Sequence, residues 1–129
     1  MITLPNGVKK IGANAFYGNE NLRSIVLPDT VTEIGNGAFS YCIVSGSLRL
    51  PAGLTKISDN TFLSSYLESI WIPRSVTVIG NNAFCRGNIG ILQYEGTQEE
   101  WEMLSKQYIG SNDTLKHIKM TKYEVEKDG

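Results

Sequence analysis

The stretch Ile25-Val26-Leu27-Pro28-Asp29-Thr30-Val31-Thr32-Glu33-Ile34-Gly35-Asn36-Gly37-Ala38-Phe39 has counterparts on both sides of it in the chain. The prolines stand at Pro5, Pro28, Pro51 and Pro73, spaced 23, 23 and 22 apart, and they are the only prolines present. An aliphatic residue precedes each one: Leu4, Leu27, Leu50 and Ile72. Three residues after each comes Val8, Val31, Leu54 or Val76, and three further on Ile11, Ile34, Ile57 or Ile79. Gly12, Gly35, Ser58 or Gly80 follows, and then Phe16, Phe39, Phe62 or Phe84, which are all four phenylalanines. An ordinary globular domain would have to bring every Pro and every Phe into one register by accident. A period in this range marks an array in which one structural unit is stacked on the next.

Each column has a physical reading. Ile25/Leu27, Leu48/Leu50 and Ile70/Ile72 alternate with other residues, so each pair faces one side of a short strand, and Leu92/Tyr94 continues the series. Proline has no N–H to give a ladder, so it marks the strand's end. The Val and Ile columns turn inward at the next sides of the coil, and the glycine suits a bend or a close approach between turns. The Phe fills the axis, ring upon ring. No single turn buries its apolar side alone; stacking does it. With turns about 4.8 Å apart, the stacked part is on the order of 24 Å long. Asn36, Asp59 and Asn81 form a polar column, as do Asn14, Asn60 and Asn82. These residue types bond local backbone in turns and tolerate unusual dihedrals. As calcium ligands they lack the converging carboxylates that ion requires.

The 129 residues make one domain, 41% hydrophobic and 19% charged, which supplies a core and argues against a disordered chain. Twelve basic and 13 acidic residues leave a net charge of −1, so no field or Lys/Arg run attracts nucleic acid. No stretch reaches the roughly 18 apolar residues of a membrane span, so no membrane insertion is expected. Met1-Ile2-Thr3-Leu4-Pro5 has neither a basic nor an apolar leader region.

At Thr97 the pattern changes. Thr97-Gln98-Glu99-Glu100 is a capping box. Trp101, Leu104 and Tyr108 then fall on one face of a helix over about 98–108, followed by a strand-like segment, Leu115 to Val125. The repeats therefore occupy 1–96 and a C-terminal cap 97–129, with Trp101 covering the last open core. At the other end, Ile2-Thr3-Leu4-Pro5 aligns with Ile25-Val26-Leu27-Pro28, so the chain is expected to start inside an array, with an open first turn that invites self-association.

These residues resemble the BspA-type leucine-rich repeat family, through Ile-x-Leu-Pro-x-x-Val-x-x-Ile-Gly-x-x-Ala-Phe at 25–39 and again at 70–84 with Ile72 in place of Leu. Tyr94-Glu95-Gly96-Thr97-Gln98-Glu99-Glu100-Trp101 is similar to the tail that often closes such arrays. The resemblance covers residues 2 to about 120. It implies an α/β leucine-rich-repeat solenoid: right-handed, with a parallel β-sheet, short turns or 3-10 segments, and a short C-terminal capping helix. It also implies a bacterial or protozoan surface protein engaged in adhesion or protein binding, hence an extracellular or cell-surface location. It brings no catalytic residue with it. Ser58 and Thr61 depart from the family's Gly and Ala, and Ser40 to Ser47 carries Gly46 where a leucine is usual; both predict a locally irregular turn. Asn112-Asp113-Thr114 matches a glycosylation sequon, but a chain of bacterial type is expected to carry no glycan there.

Chemistry is hard to find. His117 is the only histidine, and nothing places it near Cys42 or Cys85, so no nucleophile, base and orienting group converge. Two Cys and one His without ligand spacing make no zinc site. The cysteines lie roughly 9–10 Å apart along the rod, beyond the roughly 7 Å a disulfide allows, so both are expected free, with Cys42 the more buried. Glu99 and Glu100 belong to a solvated first helical turn, and Gly87, Gly90 and Gly96 form no phosphate loop. No catalytic residue, metal or cofactor is expected.

The candidate surface is the outward column of the strands: Thr3, Val26, Arg49, Trp71 and Gln93, with Arg74 just beyond its strand. An exposed Trp flanked by Arg has the composition of a binding hot spot; Arg49 and Trp71 can equally be stacked on each other as a cation–π pair. The expected function is non-catalytic binding of a protein or glycan, such as a host surface or matrix component, by Val26, Arg49, Trp71, Arg74 and Gln93. The alternative is a spacer and C-terminal cap within a longer surface protein.

Overall fold

A computed structural model describes residues 2–117, which coil as a parallel-stranded solenoid of stacked turns. One face is a five-stranded parallel sheet of β1 (Ile2–Thr3), β3 (Ile25–Val26), β5 (Ile43–Arg49), β7 (Tyr66–Ile72) and β9 (Asn88–Tyr94), in that order. A second side carries the short strands β2 (Lys10–Ile11), β4 (Glu33–Ile34), β6 (Lys56–Ile57) and β8 (Val78–Ile79). The register is that of the sequence columns: Ile2, Ile25, Leu48, Ile70 and Leu92 stand opposite one another. Of these, Ile25, Leu48, Ile70 and Leu92 are buried. After each proline the chain turns tightly, the proline carbonyl accepting from the N–H three residues on, as Pro28 does from Val31 at 3.0 Å.

The phenylalanines stack along the axis. Neighbouring ring centroids are 5.1 Å (Phe16–Phe39), 5.6 Å (Phe39–Phe62) and 5.3 Å (Phe62–Phe84) apart, with nearly parallel planes. This is the offset-stacked geometry that aromatic quadrupoles prefer. Around each ring a third ladder joins the turns: the N–H of Phe16, Phe39 and Phe62 donates to Ala38, Thr61 and Ala83 at 2.8–2.9 Å. Left-handed residues shape this corner in two columns, Asn14, Gly37, Asn60 and Asn82 before the Phe and Gly18, Tyr41, Ser64 and Arg86 after it. The first column uses the residue types that tolerate this conformation. The second column does so only at Gly18.

Both expected irregularities are present. In β5 the register slips between Val44 and Ser47, and Gly46 sits at φ 134°, where a Cβ would lie 2.2 Å from the Arg23 carbonyl oxygen. At Ser58 the second side splits: β2 pairs with β4 and β6 with β8, but β4 and β6 do not pair. The cause is steric. A Cβ on Gly35 or Gly80 would stand 2.5 Å from a backbone nitrogen of the preceding turn, so glycine there lets the strands close. Ser58 has a Cβ, its strand stands off, and its hydroxyl bridges to the Ile34 carbonyl at 2.6 Å.

The C-terminal helix α1 (Gln98–Tyr108) has the expected bounds and box: Glu100 N–H donates to Thr97 Oγ1 at 3.0 Å, and Thr97 N–H to Glu100 Oε1 at 3.1 Å. Trp101 is buried against Tyr94, with centroids 5.3 Å apart, so the helix covers the last turn's core. The strand expected from Leu115 does not begin there. Asp113–His117 is a 3-10 helix, because Leu115 N–H closes back on the Asn112 carbonyl at 3.0 Å. The rest of that segment, to Val125, lies outside the described residues.

Candidate functional site

The parallel register places Thr3, Val26, Arg49, Trp71 and Gln93 side by side on successive strands of the five-stranded sheet. They alternate with the buried aliphatics and so face outward. Val26 is 46% exposed, while Trp71 and Gln93 are half-buried. Arg49 explains the covering of Trp71: its guanidinium carbon lies 4.1 Å from the indole centroid, a cation–π stack. Its Nη1 is also 3.1 Å from Asp29 Oδ1. The Ala52 N–H donates to the same carboxylate oxygen at 2.9 Å. That backbone bond first, and Arg49 after it, hold the Asp29 carboxyl below its ordinary range. Asp29 thus fixes Arg49, and Arg49 lies over Trp71. Beside them is a hollow of about 480 Å³ with a largely apolar lining, bounded by Val26, Pro28, Asp29, Ser47 and Arg49.

Arg74 is placed elsewhere. Its guanidinium is 3.4 Å from Glu100 of α1, and its backbone N–H donates to Glu95 Oε1 at 3.1 Å. The structure brings Val26, Arg49, Trp71 and Gln93 together and sets Arg74 against the capping helix. Asp29 is the member of the cluster that sequence reasoning missed. Its position just after a proline reads as a turn residue, and its link to Arg49 exists only once the turns are stacked.

The sequon residues are the second omission. The third ladder needs acceptors at its last turn, beyond which no further turn stands among the described residues. Asn112 Oδ1 accepts from Phe84 N–H at 2.7 Å, Asp113 Oδ1 from Arg86 N–H at 2.9 Å, and Thr114 Oγ1 from Gly87 N–H at 2.9 Å. In return Asn112 Nδ2 donates to the Gly80 carbonyl at 3.2 Å and Thr114 N–H to the Phe84 carbonyl at 2.9 Å. Three consecutive side chains take the place that the backbone of the next turn holds elsewhere in the stack. Asn112 is fully buried, so its amide is not open to modification in the folded chain.

The cysteines are free, Cys42 buried and Cys85 partly exposed. Burial pushes the Cys42 thiol up, and its Sγ lies 2.9 Å from the Phe16 carbonyl, to which it donates. Ser65, one turn on, donates to the Phe39 carbonyl in the same way. Among the described residues no helix is long and apolar enough to cross a membrane.

The family model described as "BspA type Leucine rich repeat region (6 copies)" matches residues 1–107. No curated protein and no solved structure matches the chain. The stacked phenylalanines, the parallel ladder and the family match over most of the length agree, and the chain belongs to the BspA-type leucine-rich repeat family.

Proposed function

We propose that this solenoid is a non-catalytic protein-binding segment of a bacterial surface protein, and that the outward row Val26–Arg49–Trp71–Gln93 is its contact face. The observation that supports the reading most is the Asp29–Arg49–Trp71 chain of contacts at 3.1 and 4.1 Å. It holds a Trp and an Arg, the side chains most enriched in hot spots, in one conformation before any partner arrives. Such pre-organisation lowers the entropy lost on binding. Beside it the apolar hollow offers room for a partner's side chain. The surface location and an adhesive role rest on the association of this family with bacterial surface proteins.

A second reading is favoured by the same contacts. Arg49, Trp71 and Asp29 satisfy one another, as they would in a spacer whose recognition lies elsewhere. Immobilised matrix proteins such as fibronectin, laminin and collagen separate the two. Binding by the chain that falls about thirtyfold or more in an Arg49→Ala, Trp71→Ala pair supports the contact face, since hot-spot truncations cost about 2 kcal/mol or more. Binding that survives the pair removes that face from consideration, and no binding at all favours the spacer.

A further inference from the structure

A second surface lies at the other end of the long strands. Ile43 opens β5 and Arg49 closes it, so the two are about 20 Å apart along the strand. Around Ile43 the chain exposes three tyrosines: Tyr17 at 57%, Tyr41 at 45% and Tyr66 at 57%. They are contiguous. Tyr17 and Tyr41 have centroids 5.4 Å apart with tilted planes, and Ile43 stands opposite Tyr66 in register. A hollow of about 450 Å³ runs between Tyr41, Ile43 and Tyr66, with Glu20 and Arg86 also on its lining. A second hollow, of about 430 Å³, is lined by Tyr17 and Tyr41 together with Asn14, Asn36 and Asn60. Each is in the size range of small-ligand clefts.

The backbone adds an independent observation. Tyr41 sits at φ 56° and Arg86 at φ 54°, in the left-handed region that bulky residues avoid. The first turn fills the same position with Gly18. Glycine would therefore serve the turn better at 41, and the ring of Tyr41 is not buried in the core.

We propose that this tyrosine-lined corner is a binding site for uncharged oligosaccharides. Rings on a fixed backbone offer large contact area at little entropic cost. The asparagine amides both donate and accept, as sugar hydroxyls do. Among the described residues the side chains of Asn14, Asn36 and Asn60 make no hydrogen bond within the chain, so these groups are available to a ligand. One acidic and one basic side chain, Glu20 and Arg86, leave the tyrosine hollow without net charge, which selects against anionic chains. The site is independent of the Arg49–Trp71 face.

The test is native electrophoresis of the full chain through gels containing hydroxyethyl cellulose, soluble starch or glucomannan, with alginate and heparin as charged counterparts. The expected result is retardation by at least one neutral polysaccharide. Tyr41→Gly should weaken it about tenfold, the loss of one aromatic contact. Its melting temperature should stay the same or rise, because glycine relieves the left-handed strain; a purely structural tyrosine would behave the other way. Tyr66→Ser should weaken binding similarly, and the Arg49→Ala, Trp71→Ala pair should leave it unchanged. The proposal is overturned by no retardation in any neutral gel, by retardation in alginate or heparin alone, or by retardation that survives both tyrosine substitutions. Capture of a protein instead of a polysaccharide, lost in the same tyrosine variants, overturns it as well.

Discussion

Replacing Asn112 by alanine should unfasten the last turn of the coil. The side chain accepts from Phe84 N–H at Oδ1 at 2.7 Å, and its Nδ2 donates to the carbonyls of Gly80 at 3.2 Å and Tyr108 at 2.8 Å and to Ser111 Oγ at 3.5 Å. Phe84 is buried, so alanine leaves its N–H without water or partner, while the Gly80 carbonyl keeps only the Ala83 N–H at 3.3 Å. The orphaned donor costs about 1–3 kcal/mol and the lost bond to Gly80 about 1 kcal/mol more, roughly 3 kcal/mol together. That is a large part of the 5–15 kcal/mol by which a typical domain is stable. Asp113→Ala, by contrast, frees an exposed N–H at Arg86 that water can solvate, and should cost less than about 1.5 kcal/mol. Urea titration followed by far-UV circular dichroism reads the difference. With an m-value of about 2 kcal/mol/M, Asn112→Ala should lower the midpoint by about 1.5 M. Because stability in a stacked array is nearly a sum over neighbours, the loss can also appear as fraying of the cap alone. Hydrogen exchange at the Phe84 amide reports that case. A midpoint within about 0.3 M of the parent, together with unchanged protection at Phe84, would refute the claim that these side chains do the work of a turn's backbone.

Phe39→Ala removes a fully buried ring from between Phe16 and Phe62, and should destabilise the chain by about 3–5 kcal/mol in the same titration, more than any exposed tyrosine substitution. Gly80→Ala places a Cβ 2.5 Å from the Asp59 nitrogen, and should part β6 from β8 as Ser58 already parts β4 from β6. The expected cost is about 1–3 kcal/mol, with faster exchange at the Gly80 amide, and Ser58→Gly should slow exchange across the β4–β6 gap. In the native chain a disulfide reagent should label Cys85 quickly and Cys42 only on unfolding. Burial raises the folded thiol value of Cys42, so its contribution to stability is full below the ordinary thiol range and is lost as pH rises from there through the folded value. A Cys42→Ser chain whose stability declines just as steeply above pH 8 would contradict that.

The coil itself was legible because its physics is periodic. Phe39 recurs because one axis passes through every turn, so a single spacing encodes the whole core. The bounds of α1 followed from Thr97 and Glu100, a signal carried by four adjacent residues. The irregular turns at Gly46 and Ser58 showed as departures from a column, and the structure gives each a steric reason. What escaped was whatever joins different columns. Asp29 reaches Arg49 from the neighbouring turn, Arg74 turns to Glu100 in the cap, and Asn112–Thr114 meets Phe84–Gly87 only after the helix has folded back. The left-handed column at Tyr41, Ser64 and Arg86 escaped because those residue types do not announce it.

These two kinds of residue divide the labour of the fold. Every inward column is held by geometry: Ile25, Leu48, Ile70 and Leu92 must match one another or the stack opens. Outward columns carry no such constraint. The row Thr3, Val26, Arg49, Trp71 and Gln93 contains five different side chains on one repeated backbone. A solenoid of this kind sets positions about 4.8 Å apart on a rigid lattice and leaves their chemistry open. Recognition is therefore to be sought where an outward side chain departs from what the backbone favours. Tyr41 is such a place, since it holds a ring where Gly18 shows that none is needed.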